Sequence, residues 1–427
     1  MTVLDTQILP ASGARDGAFG NATHLVCRAC GEKTALGPFY ACMECFGPLE
    51  VGYAYPSITR AEIEAGPKSI WRYASLLPVP ADIASHPSTD PGFTRLVDAG
   101  RLATDLGLKK LWVKDDSGNP THSFKDRVVA VALSAARELG FKVLACPSTG
   151  NLANAVAAAA ARAGITSVVF VPENLEKQKI LASAVYDTTL VAVRGNYDDV
   201  NKLASEIAGE EDSWAFVNVN VRPYYAEGSK TLAYEIAEQL GWRLPDQIVI
   251  PVASGAQLTK IDKGINELIR LGLVEEKPVK IYGAQATGCS PIAQAYRAGH
   301  DVVAPVKPDT IAKSLAIGNP ADGPYVLDVV RRTGGLIADV DDATVVANIQ
   351  RLARTEGIFA ETAGGVTVGV TAKLIADGVL DPEGETVVIN SGDGLKTLDA
   401  IAGEVGPKVT IAPRYEAFAD FWKEYRS

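Results

Sequence analysis

Gly118-Asn119-Pro120-Thr121-His122-Ser123-Phe124-Lys125-Asp126-Arg127 is the stretch on which the reading of this chain turns. A turn-forming Gly-Asn-Pro and a cluster of hydroxyls lead to one lysine, and the apolar run Val128-Val129-Ala130-Val131-Ala132-Leu133 follows it. The pattern sets Lys125 where an extended segment meets the start of a helix, a place suited to holding a reactive group. Taken alone, the lysine reads more readily as a solvated surface charge, as most lysines are. The rest of the chain has to decide between the two.

Working outward, Leu111-Trp112-Val113-Lys114 reads as a short strand feeding the lysine segment. Helices are expected at 126–139, 152–163, 175–185 and 197–208, separated by strands at 142–145, 167–171, 190–193 and 215–219. A long helix at 224–240 then opens a second set. Strands are expected at 247–252, 279–285 and 386–390, with helices at 259–271, 291–298, 344–356 and 365–376. Alternation of this kind implies parallel strands joined by crossover helices. The expected fold is α/β: two open, mainly parallel α/β domains with a ligand cleft at the carboxyl ends of their strands. Residues 128–222 form the smaller domain, and 56–127 with 223–427 the larger. The proline-rich stretch 51–99, with Trp71-Arg72-Tyr73, reads as a docking arm.

Ahead of these lie a loose tail, 1–20, and a small module, 21–55, marked by Cys27-x2-Cys30-x11-Cys42-x2-Cys45. Two Cys-x2-Cys turns each present two thiolates toward one tetrahedral metal, the arrangement of a zinc ribbon, and Gly31 and Gly47 suit its tight knuckles. Two disulfides, or a ribbon that binds no metal, are the alternatives. Four protein ligands would close the site, so the zinc would be structural. Cys146 and Cys289 stand alone and read as packing residues.

Bulk properties exclude more than they select. With 427 residues, 47% hydrophobic and 22% charged, the chain is long enough for two or three substantial cores. Its formal charge of −10 argues against a general nucleic-acid or membrane-surface binder. The first 20 residues lack a basic start followed by an apolar core, and no apolar run reaches about eighteen residues, so a cytoplasmic protein is expected.

Loops at the expected strand ends carry the chemistry. Pro147-Ser148-Thr149-Gly150-Asn151 opens a helix and suits a carboxylate, or is an ordinary N-cap. Ala253-Ser254-Gly255-Ala256-Gln257-Leu258-Thr259 repeats the arrangement and suits a phosphate, or is a tight strand-to-helix turn. In Asn390-Ser391-Gly392-Asp393, the Ser391 hydroxyl suits an unprotonated ring nitrogen, with Asp393 as its rival. Glu361, before Thr362-Ala363-Gly364-Gly365, supplies either a functional carboxylate or a helix-start charge.

Together with Glu227-Gly228-Ser229-Lys230-Thr231 and Ile317-Gly318-Asn319-Pro320, these segments occur in an order that resembles the threonine synthases, within the tryptophan synthase β family of pyridoxal phosphate enzymes (fold type II). The resemblance covers roughly 71–400, and the cysteine module looks like one that some members carry. It implies pyridoxal 5'-phosphate as cofactor, with Lys125 as the Schiff-base lysine, Asn151 on the pyridoxal 3-oxygen and Ser391 on the ring nitrogen. Ser254, Gly255, Ala256, Gln257, Leu258 and Thr259 fall where the family binds the cofactor phosphate. Asn119, Ser123, Ser148 and Thr149 fall where the substrate amino acid is gripped, and Arg222 and Lys230 would give positive charge to the substrate's phosphate. A homodimer is implied as well.

The chain departs from the family at three places. The loop at Ser254 is poorer in glycine and asparagine. His122 stands where a glycine is commoner and reads equally as a phosphate contact, a proton relay or a packed histidine. Arg222-Pro223-Tyr224-Tyr225 carries its arginine farther from Glu227 than in many members. The implied reaction converts O-phospho-L-homoserine and water to L-threonine and phosphate. A paralogue is the alternative, performing β-replacement on O-phosphoserine in the manner of a cysteate synthase, or β-elimination from serine or threonine. A binding protein whose ribbon contacts nucleic acid or a partner is a third reading, disfavoured by the intact lysine segment.

Overall fold

The computed structural model describes residues 17–426, apart from Thr149, Asn174, Glu176 and Asn196. The first strands are β1 (Ala22–Cys27), β2 (Lys33–Thr34) and β3 (Leu49–Tyr53), which pair antiparallel in the order β2-β1-β3. Of the tail expected at 1–20, residues 1–16 lie outside the described residues. Ala18 and Phe19 are buried, and Phe19 stacks on Tyr224 with ring centroids 5.1 Å apart.

Among the described residues, ten further strands make two sheets. In chain order they are β4 (Arg95–Asp98), β5 (Lys110–Asp115), β6 (Val143–Pro147), β7 (Thr166–Pro172), β8 (Thr189–Val193), β9 (Trp214–Phe216), β10 (Gln247–Pro251), β11 (Lys280–Ala286), β12 (Ile337–Val340) and β13 (Glu385–Asn390). The larger sheet runs β12-β11-β10-β13-β5-β4 and the smaller β8-β7-β6-β9. Every pairing in these two sheets is parallel except β4 with β5. Strands such as Gln-Ile-Val-Ile-Pro in β10 are buried along their whole length, as parallel strands covered by helices on both faces must be. β4 falls within the stretch 51–99 expected to be an irregular arm, and its partly exposed residues mark it as an edge. The same stretch sends Ile70, Trp71, Tyr73 and Leu76 into the core.

The helix expected at 224–240 is two helices, Arg222–Glu227 and Lys230–Gln239. The break at Gly228 has a packing cause: a Cβ there would lie 2.6 Å from the Arg127 carbonyl and 2.7 Å from the Val128 Cα. The chain bends so that its backbone can lie against the helix Lys125–Glu138.

Sheet order brings the distant loops together. β13 lies between β10 and β5, with Asn390 opposite Asp115, so the loops after β5, β13 and β10 emerge side by side. Behind the first of them sits a fully buried ion cluster. The Arg127 guanidinium donates to Asp116 at 2.8 Å and to both oxygens of Glu235, and the Lys114 ammonium donates to Glu235 at 2.6 Å. Each charge is paired and hydrogen-bonded, the condition under which such burial is tolerated. Its effect is to lock the end of β5, the start of the Lys125 helix and the helix Lys230–Gln239 to one another.

Among the described residues, no helix is long and apolar enough to cross a membrane.

Candidate active site

Lys125 is the first residue of its helix, and the preceding loop is held by its own side chains. The Asp126 carboxylate, one position into the helix, accepts from the Thr121 backbone N–H at 2.8 Å and hydroxyl at 2.9 Å. Two backbone bonds then join this loop to the one after β13. Phe124 N–H donates to the Ser391 carbonyl at 2.8 Å and Asp393 N–H donates to the His122 carbonyl at 3.0 Å, which together pair Ser123 with Gly392. The lysine and the serine that follow different strands are thereby set against each other by backbone bonds.

The Lys125 amine is enclosed by aromatic rings, 4.9 Å from the Phe124 centroid and 6.0 Å from that of Tyr225. Burial pulls it down to about 8, and the Glu361 carboxylate, the one charge opposing that, keeps it from falling further. Among the described residues, no hydrogen bond or ion pair holds this amine. The helix start therefore delivers a lysine with a substantial neutral fraction near physiological pH.

Glu361 occupies the middle of the constellation. Asn151, at the start of the helix Asn151–Ala163, donates its side-chain amide to one Glu361 oxygen at 2.9 Å, and the Ser391 hydroxyl donates to the other at 3.1 Å. Burial raises the Glu361 carboxyl above its ordinary value, and the bonds from Asn151 and Ser391 work against that rise. Gly392 is obligatory beside it, since a Cβ there would lie 2.6 Å from the carboxylate. Asp393, the rival of Ser391, turns away and accepts from the Leu395 N–H at 2.8 Å, capping a short 3-10 turn. Lys396, which sequence reasoning left without a role, donates to the Thr121 carbonyl at 2.8 Å and to Asn154 at 2.7 Å, closing the lysine loop over the smaller sheet's first crossover helix.

The loop after β10 turns directly into a helix. Gly255 has φ +103°, a conformation that favours glycine, and the helix Ala256–Arg270 starts directly after it. The amides of Gly255, Ala256, Gln257 and Leu258 have no carbonyl partner within the helix, and the positive end of the helix lies behind them. Thr259 N–H makes the first bond back, to Gly255, while its hydroxyl donates to the Ala256 carbonyl at 3.2 Å. The Gln257 amide nitrogen is buried without a partner, and Ser254 is tied through its carbonyl to the Asp322 N–H at 2.9 Å.

The remaining expected residues divide. Ser123 is buried, and its hydroxyl has no partner among the described residues. Ser148 caps the helix at Asn151, accepting from Gly150 and Ala153 N–H groups at 3.2 and 3.0 Å. Thr149 lies outside the described residues. His122 is exposed at φ +62°, with Nδ1 3.3 Å from the Ser117 carbonyl, so it is not packed in the interior. Arg222 is partly exposed and pairs with Asp322 at 2.6 Å.

Asn119 and Lys230 take different places from the substrate contacts expected of them. The Asn119 amide accepts from Gly92 N–H at 2.9 Å and donates to the Asp116 carbonyl at 3.1 Å. Lys230 is fully buried and donates to Glu227 at 2.8 Å, to Glu267 at 3.0 Å and to the Leu76 carbonyl at 2.9 Å, which engages all three ammonium hydrogens.

In the N-terminal module the four thiols converge, each ligand atom within 4.8 Å of the others. The sulfurs of Cys27 and Cys45 are 3.4 Å apart, and those of Cys30 and Cys42 are 3.7 Å apart. A tetrahedron with Zn–S bonds of about 2.3 Å has edges of about 3.8 Å, so the set fits one zinc ion. These thiols are not joined in disulfides. Burial raises the Cys27 thiol, but the backbone amides of Cys30 and Ala29 and the neighbouring thiols outweigh it and hold it at about 6. Cys146 and Cys289 are buried, and burial pushes both thiols up, as packing residues require.

Comparison with known proteins gives the constellation a context. The family described as pyridoxal-phosphate dependent enzyme matches residues 88–392. The chain is 36% identical to a threonine synthase from Methanocaldococcus jannaschii over 380 residues, covering 88% of this chain and 93% of that protein. It is 37% identical to a threonine synthase from Methanosarcina acetivorans over 378 residues, covering 87% and 92%. Among solved structures, the processed form of threonine deaminase isoform 2 from Solanum lycopersicum is similar in fold, with a TM-score of 0.61 at 21% identity over 76% of this chain and 87% of that one.

Proposed function

The chain belongs to the pyridoxal-phosphate-dependent enzymes, among their threonine synthases, and we infer from this and from its cleft that it converts O-phospho-L-homoserine and water to L-threonine and phosphate. The observation that carries the reading is the Lys125 amine, desolvated and without a hydrogen-bond partner among the described residues, within reach of the charge on Glu361, which in turn holds Asn151 and Ser391. The residues present fit the cofactor: an unengaged amine, an unpartnered Ser123 hydroxyl, and a glycine-opened helix end with free amides and the unpartnered Gln257 amide. Pyridoxal phosphate supplies an electron sink that stabilises negative charge on the substrate's α-carbon.

The chain's own residues then divide the labour. Lys125 would hold the cofactor through its side-chain amine and, with that amine free, would serve as a general base able to take the α-proton and return protons to the carbon chain. Glu361 faces its amine and tunes it. Asn151 and Ser391 would serve the ring's 3-oxygen and nitrogen, and the amides from Gly255 to Leu258, with Ser254 and Thr259, would hold the cofactor phosphate. Ser123, Ser148 and Thr149 orient the substrate carboxylate, and Arg222, with His122 at the rim, receives the substrate phosphate that leaves from the γ-carbon. Asn119 and Lys230 set the frame around them.

We further propose that residues 128–222 move as a unit against 56–127 and 223–427, excluding stray water while negative charge is present. Zinc in the four-cysteine site is structural, because four protein ligands leave no open position. A cytoplasmic homodimer completes the proposal. Thiols arranged for a metal instead of disulfides support that compartment. The exposed aromatic face of the helix Tyr415–Arg426, with Phe418, Trp422 and Tyr425, supports a partner subunit, which sedimentation would register as a doubled mass.

Phosphate release from O-phosphohomoserine, with O-phosphoserine and sulfite as the comparison, tests the assignment. The wild type should act on the first, and Lys125→Ala should lose both the visible absorbance of the bound cofactor and the activity. A cofactor-loaded protein that leaves O-phosphohomoserine untouched sinks it.

A further inference from the structure

The cysteine module reaches the cleft through one side chain. Arg28, between Cys27 and Cys30, places Nη1 3.3 Å from Asp322 Oδ1, while Arg222 places Nη2 2.6 Å from Asp322 Oδ2. Asp322 is buried, and its backbone N–H donates to the carbonyl of Ser254, the residue that opens the phosphate loop. A Cβ on Gly255 would lie 2.9 Å from the Asp322 Cβ, so this aspartate packs directly against that loop. The Arg28 guanidinium also stacks 3.7 Å over the Tyr325 ring.

Two guanidinium groups share the one Asp322 carboxylate, with the Glu50 carboxylate also within electrostatic reach of Arg28. A structural tether would need only one of them. The module, moreover, is attached without Arg28. Lys260 pairs with Glu50, Tyr53 donates to Glu227 at 2.7 Å, and the Tyr224 hydroxyl accepts from Gly37 N–H at 2.8 Å and donates to the Gly37 carbonyl at 3.1 Å. The second guanidinium is therefore surplus to attachment and sits where an anion would use it.

We propose that Arg28 is a positioning residue for the substrate's phosphate, and that the metal knuckle sets its place. With Arg28 present, Asp322 divides its single charge between two cations, so Arg222, although it is the nearer of the two at 2.6 Å, leaves no unpaired carboxylate when it turns to an entering phosphate dianion, because Arg28 retains Asp322. Without Arg28, Arg222 and Asp322 form a closed neutral pair that has to be broken before phosphate binds. The knuckle fixes Arg28 because Cys27 and Cys30 flank it as ligands to one ion and the turn is tightly packed: a Cβ on Gly47 would lie 2.8 Å from both Ala29 Cβ and Cys27 Sγ. The proposal rests on the reading that the cleft takes a phosphorylated amino acid.

The test uses the cofactor-loaded full chain and two readouts, the KM for O-phosphohomoserine and the inhibition constant of inorganic phosphate. Arg28→Ala and Arg28→Gln should raise both about tenfold, the scale of one charge-assisted phosphate contact, with kcat changed less than about threefold and with zinc content and cofactor absorbance retained. Arg28→Lys should recover most of the loss. Removing the metal from the wild type by chelation should raise both constants by a similar factor, and chelating Arg28→Ala should add little. Unchanged constants in the metal-loaded Ala and Gln variants, or an equal chelation effect with and without Arg28, would overturn the proposal. A wild type that releases no phosphate from O-phosphohomoserine would instead defeat the functional reading. Calorimetric binding of inorganic phosphate to wild type and Arg28→Ala would then still decide the role of the arginine.

Discussion

Replacing Glu361 with glutamine should move the uptake of cofactor by the apoenzyme to lower pH. Burial holds the Lys125 amine at about 8, against an ordinary value of 10.5, and Glu361 is the charge that opposes this fall. Attachment of the cofactor requires the neutral amine. Near neutral pH, lowering the amine from 10.5 to about 8 enlarges its neutral fraction about 300-fold, which is the advantage that desolvation gives this site. Glutamine keeps an acceptor oxygen for Asn151 or Ser391 but removes the negative charge, so the amine should fall below about 8 in the variant. Stopped-flow mixing of apoenzyme with pyridoxal phosphate, followed by the growth of visible absorbance across a pH series, reads this directly. The wild-type rate should rise with a midpoint near 8, the variant should reach half its plateau at lower pH, and the two should converge in alkaline solution. The same shift has a stability sign. Between about 8 and 10.5 the unfolded chain binds a proton at Lys125 that the folded apoenzyme does not, so this lysine's contribution to stability improves as pH rises through that window. A wild-type midpoint near the ordinary 10.5, or an upward shift in the variant, would refute the electrostatic account of the site.

Two further substitutions probe the frame. Gly255→Ala puts a Cβ on a residue at φ +103° and 2.6 Å from a Val326 methyl, a strain of about 1–3 kcal/mol at the phosphate loop, and should weaken cofactor binding about tenfold or more in an equilibrium titration. Arg127→Met leaves the Asp116 and Glu235 carboxylates in the interior with only Lys114 to offset them, and should cost about 3–5 kcal/mol in denaturant unfolding; a loss under about 1 kcal/mol would mean that the cluster is not held as described.

Much of the fold was legible because its signals are local. The alternation that gives β6 and β7 and the helix Asn151–Ala163 rests on short, continuously buried apolar runs separated by turn residues, and the glycine stops rest on backbone sterics. The errors came where distant packing intervened. Gly228-Ser229 within 224–240 is a kink signal, but what the glycine admits, the backbone of Arg127 and Val128, belongs to a distant segment. β4 was hidden among prolines and polar residues because an edge strand needs no apolar pattern. Glu361 could be seen before a glycine-opened helix, yet its two hydrogen-bonding partners belong to other loops.

The sequence by itself determined what short-range chemistry can determine: a lysine at a helix mouth, a glycine-opened turn with free amides, four cysteines spaced for one metal, and the order of segments that resembles the family. Tertiary structure decided which charges meet. It took Lys230, whose type suits a phosphate, and enclosed it between Glu227 and Glu267, while sending Arg28 from the cysteine knuckle to the edge of the phosphate loop. It also supplied what the order of segments could only imply for Lys125, a desolvated amine within reach of the Glu361 charge. The reason is physical: backbone preference depends on neighbours in sequence, but a charged side chain's role depends on how much water it loses and which partner replaces that water. Both are set only when the sheets have closed around it.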